Sequence, residues 1–299
     1  MPSHSANSFI PMEIPLYFDE TSEDLQCGGL RLIQKKQGFR YGEVAVVLAH
    51  YAHQHWCNNR RKEPFFVELG SHCGVVSILL ASLCPQASGA GIELIERQVD
   101  VMSRNIALNR LQKRLVTLQG DIRQLAKPQS VLPGGLRNHS ADMVVCNPPF
   151  GVPCRSLPRQ VKREYEYENF VAREEIACNF GEICRLAARL LKTRGRFIFA
   201  HRPERLPELF AELARHQLMP VEMMPVLPHF GDRPSTVMVA AIRNGKPGSF
   251  DFLPPLIVRT LRGRYTKQMN AFIGQPEIYH PAPGDPVLVQ RLRGQMESD

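Results

Sequence analysis

The sequence lacks any uninterrupted apolar run approaching the roughly 20 residues that cross a bilayer. Residues 1–11 have neither the basic start nor the apolar core of a signal peptide. No internal repeat is visible, and the chain contains a single Trp. We therefore expect a cytoplasmic protein that does not engage a membrane, with 299 residues available for one large core.

The sequence also lacks closely spaced pairs of cysteines. None of its eight cysteines forms a C-x-x-C pair, and most lie in apolar stretches, where a free thiol behaves as a small hydrophobe. We expect neither disulfides nor zinc or another metal. Cys73 and Cys146 flank the two loops that carry the motifs described below, and we interpret both as packing residues.

Basic residues are absent from the first 30 positions, which contain five acidic residues. All 37 Lys and Arg residues therefore lie farther along a chain whose net charge is +8. Four basic clusters stand out, at residues 31–40, 60–62, 155–163 and 259–267. A mildly basic surface supports nucleic-acid binding only modestly. The cluster at 155–163 is more telling, because it follows the Asn-Pro-Pro-Phe segment considered below.

Strand and helix patterns alternate through most of the chain. The strands predicted are 65–70, 89–94, 115–119, 142–147, 196–200, 219–226 and 236–243, and the helices are 43–53, 75–83, 96–111, 174–191 and 203–216. This alternation indicates an α/β fold with a mostly parallel, doubly wound sheet. The last two strands have no helix between them and should form an antiparallel hairpin. We expect an acidic arm over residues 1–27, one domain over 28–273 and a loose tail over 274–299.

Residues 142–150 form an apolar run that ends in Asn147-Pro148-Pro149-Phe150. Two tandem prolines fix φ and remove two N–H donors, so the chain leaves its strand along a rigid path. The Asn147 side-chain oxygen and the Pro148 carbonyl are acceptors, and Phe150 offers a flat surface for stacking. Taken alone, such a segment usually marks a turn. It is also suited to holding a planar aromatic amine.

A second signal lies upstream, where an apolar strand ends in Glu68-Leu69-Gly70-Ser71-His72-Cys73-Gly74 and a helical pattern follows. Strand, small-residue loop and helix together are typical of a nucleotide-like ligand site. Gly70 allows the backbone to turn, and Gly74 allows a ligand to approach the helix start. Glu68 is a candidate to hold a cationic amino group.

Two further strand ends carry carboxylates. Glu93 follows a short strand roughly twenty residues after the loop, where an acidic side chain can hold ribose hydroxyls. Asp121, with Ile122 beside it, is a candidate to bind an adenine ring, although by itself it is as typical of a helix N-cap. Gly42 stands at the entrance of a helix that we expect to cap the pocket. Together these motifs predict S-adenosylmethionine (SAM) as cofactor, with Asn147 contacting both cofactor and acceptor.

The chain resembles the bacterial tRNA(Val) adenine-N6 methyltransferase family over roughly residues 32–273. The resemblance rests on Gly38-Phe39-Arg40-Tyr41-Gly42, Glu68-Leu69-Gly70, Gly91-Ile92-Glu93-Leu94, Gly120-Asp121-Ile122 and Asn147-Pro148-Pro149-Phe150, and is extended by segments 172–175 and 195–206. It implies the seven-stranded class I SAM-dependent methyltransferase (Rossmann-like) fold and RNA, in particular tRNA, as partner.

Two departures from the family pattern keep alternatives open. His72 replaces a glycine of the cofactor loop, and Phe150 stands where the family often has Tyr. We hypothesise methyl transfer to N6 of an RNA adenine, with Asn147, Pro148, Pro149 and Phe150 as acceptor site. Guanine N2 of ribosomal RNA and the side-chain amide of a protein glutamine are alternative acceptors. A SAM-fold RNA-binding protein that has lost catalysis is the alternative outside the enzymes, and His72 is the hint for it.

Overall fold

The computed structural model describes residues 14–25, 27–37, 40–57, 63–150 and 178–274. Its strands are β1 (Glu20–Asp24), β2 (Arg31–Lys35), β3 (Phe65–Leu69), β4 (Ser88–Glu93), β5 (Leu115–Gln119), β6 (Ala141–Cys146), β7 (Leu191–His201), β8 (Leu218–His229), β9 (Thr236–Arg243), β10 (Asp251–Phe252) and β11 (Leu256–Arg259). Its helices are α1 (Glu43–Cys57), α2 (Val75–Leu83), α3 (Glu96–Leu108), α4 (Ile122–Leu125), α5 (Phe180–Leu190), α6 (Leu206–Arg215) and α7 (Lys267–Gly274).

The central sheet runs in the order β10-β8-β9-β7-β6-β3-β4-β5, with β11 also pairing with β8. Strands β3 to β7 are mutually parallel, and β9 is antiparallel to both β7 and β8. The predicted parallel sheet with an antiparallel C-terminal hairpin is therefore confirmed. Because β7 and β8 both oppose β9, they point in the same direction.

Side chains of the sheet alternate between two apolar layers. Met143 and Val145 of β6 pack with α1, α2 and α3 on one face, whereas Val144 and Cys146 pack with α5 and α6 on the other. All four are at most 2% exposed. This burial on both sides explains why the central strands have continuous apolar sequences, as parallel strands covered by helices do.

Part of the predicted acidic arm folds onto the domain. Strand β1 pairs antiparallel with β2, and Arg104 of α3 donates to both carboxylate oxygens of Glu20, at 2.6 and 2.7 Å. Glu20 is 2% exposed and Arg104 is 8% exposed. Arg97 of the same helix pairs with Asp19. The acidic residues at 19 and 20 thus have partners on the body of the protein.

The expected helix 174–191 differs from the observed one. Asn179 accepts from the Glu182 N–H at 2.9 Å while Glu182 accepts from the Asn179 N–H at 2.9 Å, a capping box that starts α5 at Phe180. Residues 174–177 lie outside the described residues. The basic segment 192–195, predicted to close this helix, belongs to β7 instead, because Leu191 already has extended backbone.

The sequence did not predict β10 and β11. Both pair in parallel with the outer edge of β8, β10 with its amino-terminal half and β11 with its carboxyl-terminal half. Strand β8 itself contains Pro220, Pro225 and Pro228. Across the described ranges, no helix is long and apolar enough to span a membrane.

Candidate active site

A cavity of about 570 Å³ opens at the carboxyl ends of the central strands. Loops that follow β3, β4, β5, β6 and β7 all contribute to it. Ligands of open α/β sheets bind at this edge, and the volume lies within the usual range for a ligand pocket. Among the predicted site residues, those that line the cavity are Glu68, Gly70, Glu93, Asp121, Ile122, Asn147, Pro148, Pro149 and Phe150.

The loop after β3 has left-handed backbone at alternate positions. Gly70, His72 and Gly74 have φ of 69°, 48° and 83°. His72 therefore adopts the conformation that a glycine would have in the E/D-x-G-x-G-x-G pattern, at a cost of about 1–2 kcal/mol for a residue with a Cβ. The loop therefore has left-handed backbone at all three positions, including the one where histidine replaces glycine.

Glu93 helps to hold this loop. Its carboxylate accepts from the His72 N–H at 2.8 Å and from the Ile95 N–H at 2.9 Å. It is 7% exposed, and it lines the cavity. Asn105 of α3 binds the loop from the other side by donating to the Cys73 carbonyl at 2.9 Å. The cavity wall is thus fixed by hydrogen bonds from two neighbouring elements.

Glu68 is the most perturbed acid of the site. It is 2% exposed, and its carboxylate accepts from both the N–H and the hydroxyl of Ser77 on α2. Burial raises the pKa of Glu68 to about 8, against the opposing effect of the Ser77 hydrogen bonds. Near neutral pH the free protein therefore holds Glu68 mainly protonated, and a cation brought beside it would favour the charged form.

Asp121 is the N-cap of α4. It accepts from the Arg123 N–H at 2.9 Å and pairs with the Arg123 guanidinium at 2.8 Å. Burial alone would raise the pKa of Asp121, but the hydrogen bonds and charge of Arg123 outweigh it, so the pKa is lowered. The structure supports the N-cap interpretation while also placing Asp121 on the cavity wall.

Asn147 follows β6 directly, and its side-chain Oδ1 is buried with no hydrogen-bond partner among the described residues. A buried acceptor without a donor is unfavourable by about 1–3 kcal/mol. Ser71 Oγ, also on the cavity wall, has the same property. Both atoms are suited to donors on a bound molecule.

Phe150 packs against a histidine that sequence reasoning did not assign to the site. The ring centroids of Phe150 and His201 are 5.4 Å apart. His201 ends β7, is fully buried and accepts from the Arg202 N–H through Nδ1 at 2.8 Å. Burial lowers the pKa of His201 to about 4, aided by the charge of Arg205. The ring is therefore neutral near pH 7 and supports Phe150 as a packing partner.

Gly42 and Gly74 are the two predicted site residues outside the cavity lining. Gly42 immediately precedes α1, where its neighbour Tyr41 lines the cavity instead. Gly74 caps α2, and a Cβ built on it would lie 2.6 Å from the Met102 side chain. In the described structure, Gly74 therefore contributes to the backbone shape of the loop and to the packing of α2 against α3. The basic cluster at 155–163 and the family segment at 172–175 lie outside the described residues.

Several lining residues were not assigned to the site from the sequence. They are Tyr41, Ser71, Cys178, Ile183 and Arg202. Tyr41, Ser71 and Arg202 lie inside the motif segments 38–42, 68–74 and 195–206, whereas Cys178 and Ile183 lie outside every motif. Ser77, the partner of Glu68, was not predicted either. It lies about one helical turn after the loop motif, a spacing that places its side chain on the same side of α2 as the loop.

The two cysteines beside the loops are buried thiols. Burial raises the pKa of Cys73 to about 12 and also raises the pKa of Cys146. Cys146 donates to the Leu69 carbonyl at 3.3 Å. Neither thiol is ionised near neutral pH, in keeping with the packing roles expected from the sequence.

The cavity fits SAM by the chemistry of its donors and acceptors. A buried carboxyl group at Glu68 matches an ammonium group, and the partly bonded carboxylate of Glu93 matches a ribose diol. The hydrophobic side chains of Ile92 and Ile122 line the wall beside Asp121, as a purine requires.

Comparison with known proteins bears on the same region. A family model described as lysine methyltransferase matches residues 37–147. A tRNA1(Val) (adenine(37)-N6)-methyltransferase of Porphyromonas gingivalis is 27% identical over 165 residues, which cover 54% of this chain and 60% of that protein. The chain is similar to this tRNA methyltransferase over the matched stretch. The match spans 60% of the length of that relative. The resemblance inferred from the motifs is confirmed.

A second relative and a solved structure extend the comparison. The rRNA N(6)-adenosine-methyltransferase metl-5 of Caenorhabditis elegans is 31% identical over 85 residues, covering 28% of this chain and 36% of that protein. A predicted O-methyltransferase, protein Atu636 of Agrobacterium tumefaciens, superposes with a TM-score of 0.58 over 80% of this chain and 99% of that chain, at 17% identity. The class I methyltransferase fold is confirmed, and β10 and β11 add two strands to the expected seven. The family model and relatives together support SAM as the cofactor.

Proposed function

We propose that this protein transfers a methyl group from SAM to the exocyclic N6 of an adenine in RNA, with tRNA as the favoured substrate. The observation that carries the proposal is the Asn147 Oδ1, which is buried without a hydrogen-bond partner among the described residues, on the wall of the cavity that Glu68, Glu93 and Asp121 also line. The hydrogen-bond acceptor for an amine and the candidate ligands of the cofactor therefore line the same cavity.

The proposed cofactor contacts follow from the site. Glu68 would hold the amino group, Glu93 the ribose hydroxyls, and Asp121 with Ile122 the adenine of SAM. Gly70 and Gly74 would contribute backbone shape, and Gly42 the entrance of the capping helix. When bound, SAM supplies an electrophilic methyl group on a sulfonium centre.

Asn147 and the Pro148 carbonyl would accept hydrogen bonds from the two N–H groups of the acceptor amine. Adenine N6 is a poor nucleophile because its lone pair is delocalised into the ring. Acceptors that hold its two N–H groups favour a pyramidal nitrogen whose lone pair points at the methyl group. Phe150, supported by the neutral His201 ring, would stack on the base, and stacking contributes about 1–3 kcal/mol per base.

The remaining contribution is alignment, which can supply several kcal/mol or more. The proton can leave after methyl transfer, so this mechanism needs no general base at the nitrogen. An adenine in a loop or single strand can be turned into the cavity at small cost. The loop conformation of His72 argues against the non-catalytic alternative, because the histidine keeps the glycine-like backbone.

The test is methyl transfer by the full chain to total tRNA, followed by mass spectrometry of the nucleosides. Asn147→Ala should lower the rate constant about 100-fold, the loss typical of one well-placed polar group at a reacting centre, and should weaken SAM binding by a smaller factor, because Asn147 is also a predicted cofactor contact. Asn270→Ala, on the exposed face of α7, is the control and should have no effect. An undiminished rate for Asn147→Ala would contradict the mechanism.

A protein acceptor is the second candidate. The observation that favours it is the lysine methyltransferase description of the matching family model. That match ends at residue 147 and so omits Pro148, Pro149 and Phe150, the rest of the proposed acceptor site. Methylated lysine or glutamine in a protein fraction, with no methylated nucleoside, would select a protein acceptor. N2-methylguanosine would instead select the guanine alternative.

A further inference from the structure

Two turns beyond the cavity lie on the same edge of the sheet as the acceptor segment. Strand β8 is parallel to β7, and β11 is parallel to β8 with Arg259 opposite His229. The turns that follow β8 (residues 230–235) and β11 (residues 260–264) therefore emerge where Asn147 leaves β6. With about 5 Å between neighbouring strands, they lie about 15 and 20 Å across the edge from Asn147.

Each turn presents an apolar side chain to solvent. Phe230 is 57% exposed and Leu261 is 87% exposed. A single exposed apolar residue is ordinary on a protein surface. Here, however, both stand among exposed arginines. The arginines of this edge, called the edge arginines below, are Arg202, Arg233, Arg262 and Arg264.

The edge arginines carry charge that acidic neighbours do not cancel. Within the part of the chain that the structure describes, no ion pair is found for any of the four. Glu43 pairs with Arg259 and so leaves the edge arginines unaffected. Asp232 lies 3.0 Å from His229 Nδ1, and Glu204 is exposed two residues after Arg202. Four arginines against these two carboxyl groups leave the edge positive on balance.

The second turn is also continuous with the cavity. Arg259, at the end of β11, pairs with Glu43 at the start of α1 and lies over the Tyr265 ring at 4.8 Å. Two residues before Glu43, Tyr41 lines the cavity. On the other side of the mouth, Arg202 is exposed and lines the cavity as well.

We propose that this edge is a track for single-stranded RNA, in which Phe230 stacks on a base a few nucleotides from the methylated one and Arg233, Arg262 and Arg264 contact phosphates. The proposal rests on the proposed function and extends it to the nucleotides that flank the target. Aromatic platforms combined with a cationic groove are the usual means of binding single strands. A polynucleotide, which carries a charge at every residue, matches several unpaired arginines better than a mixed-charge protein surface does.

The experiment measures binding of the full-length protein to fluorescent oligoadenylate over a range of salt concentrations. Phe230→Ala should weaken binding about tenfold, Phe230→Tyr should restore it, and Phe252→Ala is the matched control. Phe252 is 65% exposed on β10, which pairs with the amino-terminal half of β8, far from the edge. Loss of binding in Phe230→Tyr as well would overturn the stacking role.

A double variant tests the phosphate contacts. Arg262→Gln with Arg264→Gln should reduce the slope of log K against log salt by about 1.4, since each phosphate contact to a single strand contributes about 0.7. The control is Arg137→Gln with Arg194→Gln, which removes the same charge from exposed positions at the amino ends of β6 and β7. Equal slopes for the two double variants would overturn the track.

The outcomes separate this inference from the proposed function. If the wild-type protein neither binds oligoadenylate nor methylates tRNA, the proposed function itself fails. If it does both, and the edge variants behave like their controls, only the track is wrong. Edge variants that bind and methylate RNA normally but lose methylation of a protein acceptor would assign the edge to a protein partner and refute an RNA track.

Discussion

The ionisation of Glu68 makes cofactor binding depend on pH. The pKa of this buried acid is raised from 4.5 to about 8, chiefly by burial. A ligand ammonium group that needs the carboxylate must therefore displace a proton below pH 8. Affinity for SAM should rise about tenfold between pH 6 and 7, because each pKa unit corresponds to 1.36 kcal/mol, and should level off near pH 8, where Glu68 is half ionised and the amino group of the ligand begins to lose its own proton.

The raised pKa of Glu68 also affects the stability of the ligand-free protein, but in the opposite direction: stability falls as pH rises, whereas cofactor affinity increases. Since the folded pKa lies above the unfolded value, the folded protein binds the proton more tightly. The resulting stabilisation is complete below pH 4.5 and is lost as pH rises to 8. Full ionisation of the buried group costs on the order of 5 kcal/mol. Glu68→Gln should therefore raise the free energy of unfolding of the ligand-free protein at pH 8.5 by a few kcal/mol, while weakening cofactor binding.

Calorimetric titration with S-adenosylhomocysteine in buffers of different ionisation enthalpy measures both affinity and proton release. Wild-type protein should release nearly one proton on binding at pH 7, and Glu68→Gln should not release it. Ser77→Ala is the matched variant, because it keeps the carboxylate but removes a hydrogen bond that lowers the pKa of Glu68, so the affinity bend should move to higher pH. Equal pH slopes for wild type and Glu68→Gln would refute the reasoning.

Three further outcomes concern stability in urea. Gly74→Ala should lower the free energy of unfolding by about 1–3 kcal/mol more than Gly70→Ala, because both have positive φ but only the Gly74 Cβ would overlap a methionine of α3; equal losses would contradict this. Glu20→Ala should cost about 3 kcal/mol by leaving Arg104 buried without its main partner, and a loss below 1 kcal/mol would contradict it. Burial lowers the pKa of His50 to about 4 from 6.5, so its stabilisation is lost as pH falls through this range. His50→Leu should reduce the dependence of stability on pH between 6 and 4 by up to about 1.4 kcal/mol per pH unit, and an unchanged dependence would contradict the assignment.

The sequence predicted the central strands closely, because side chains buried on both faces produce continuous apolar runs. Strands β5 and β9 were predicted residue for residue, and β3, β4 and β6 to within one residue at either end. Strands β10 and β11 were missed, since two and four residues in a proline-rich segment carry no period. The predicted start of α5 differs from the observed one because the capping box of Asn179 and Glu182 starts this helix at Phe180.

The cavity was predictable where its residues follow strands. Glu68, Glu93 and Asn147 each stand at a strand end, and parallel strands bring such ends to one edge. Their protonation and pairing were not predictable, since these depend on Ser77, on backbone N–H groups and on the depth of burial. His201 was equally hidden, because its contact with Phe150 joins the end of β7 to the segment that follows β6.

The outer edge of β8 has a consequence for aggregation. Long edge strands with free N–H and C=O groups readily template pairing with a second chain. In β8, three prolines remove donors along the strand, and β10 and β11 pair with part of its outer edge. Even while the carboxyl-terminal segment is still undocked during folding, the longest strand of the sheet is therefore a poor seed for intermolecular β-structure.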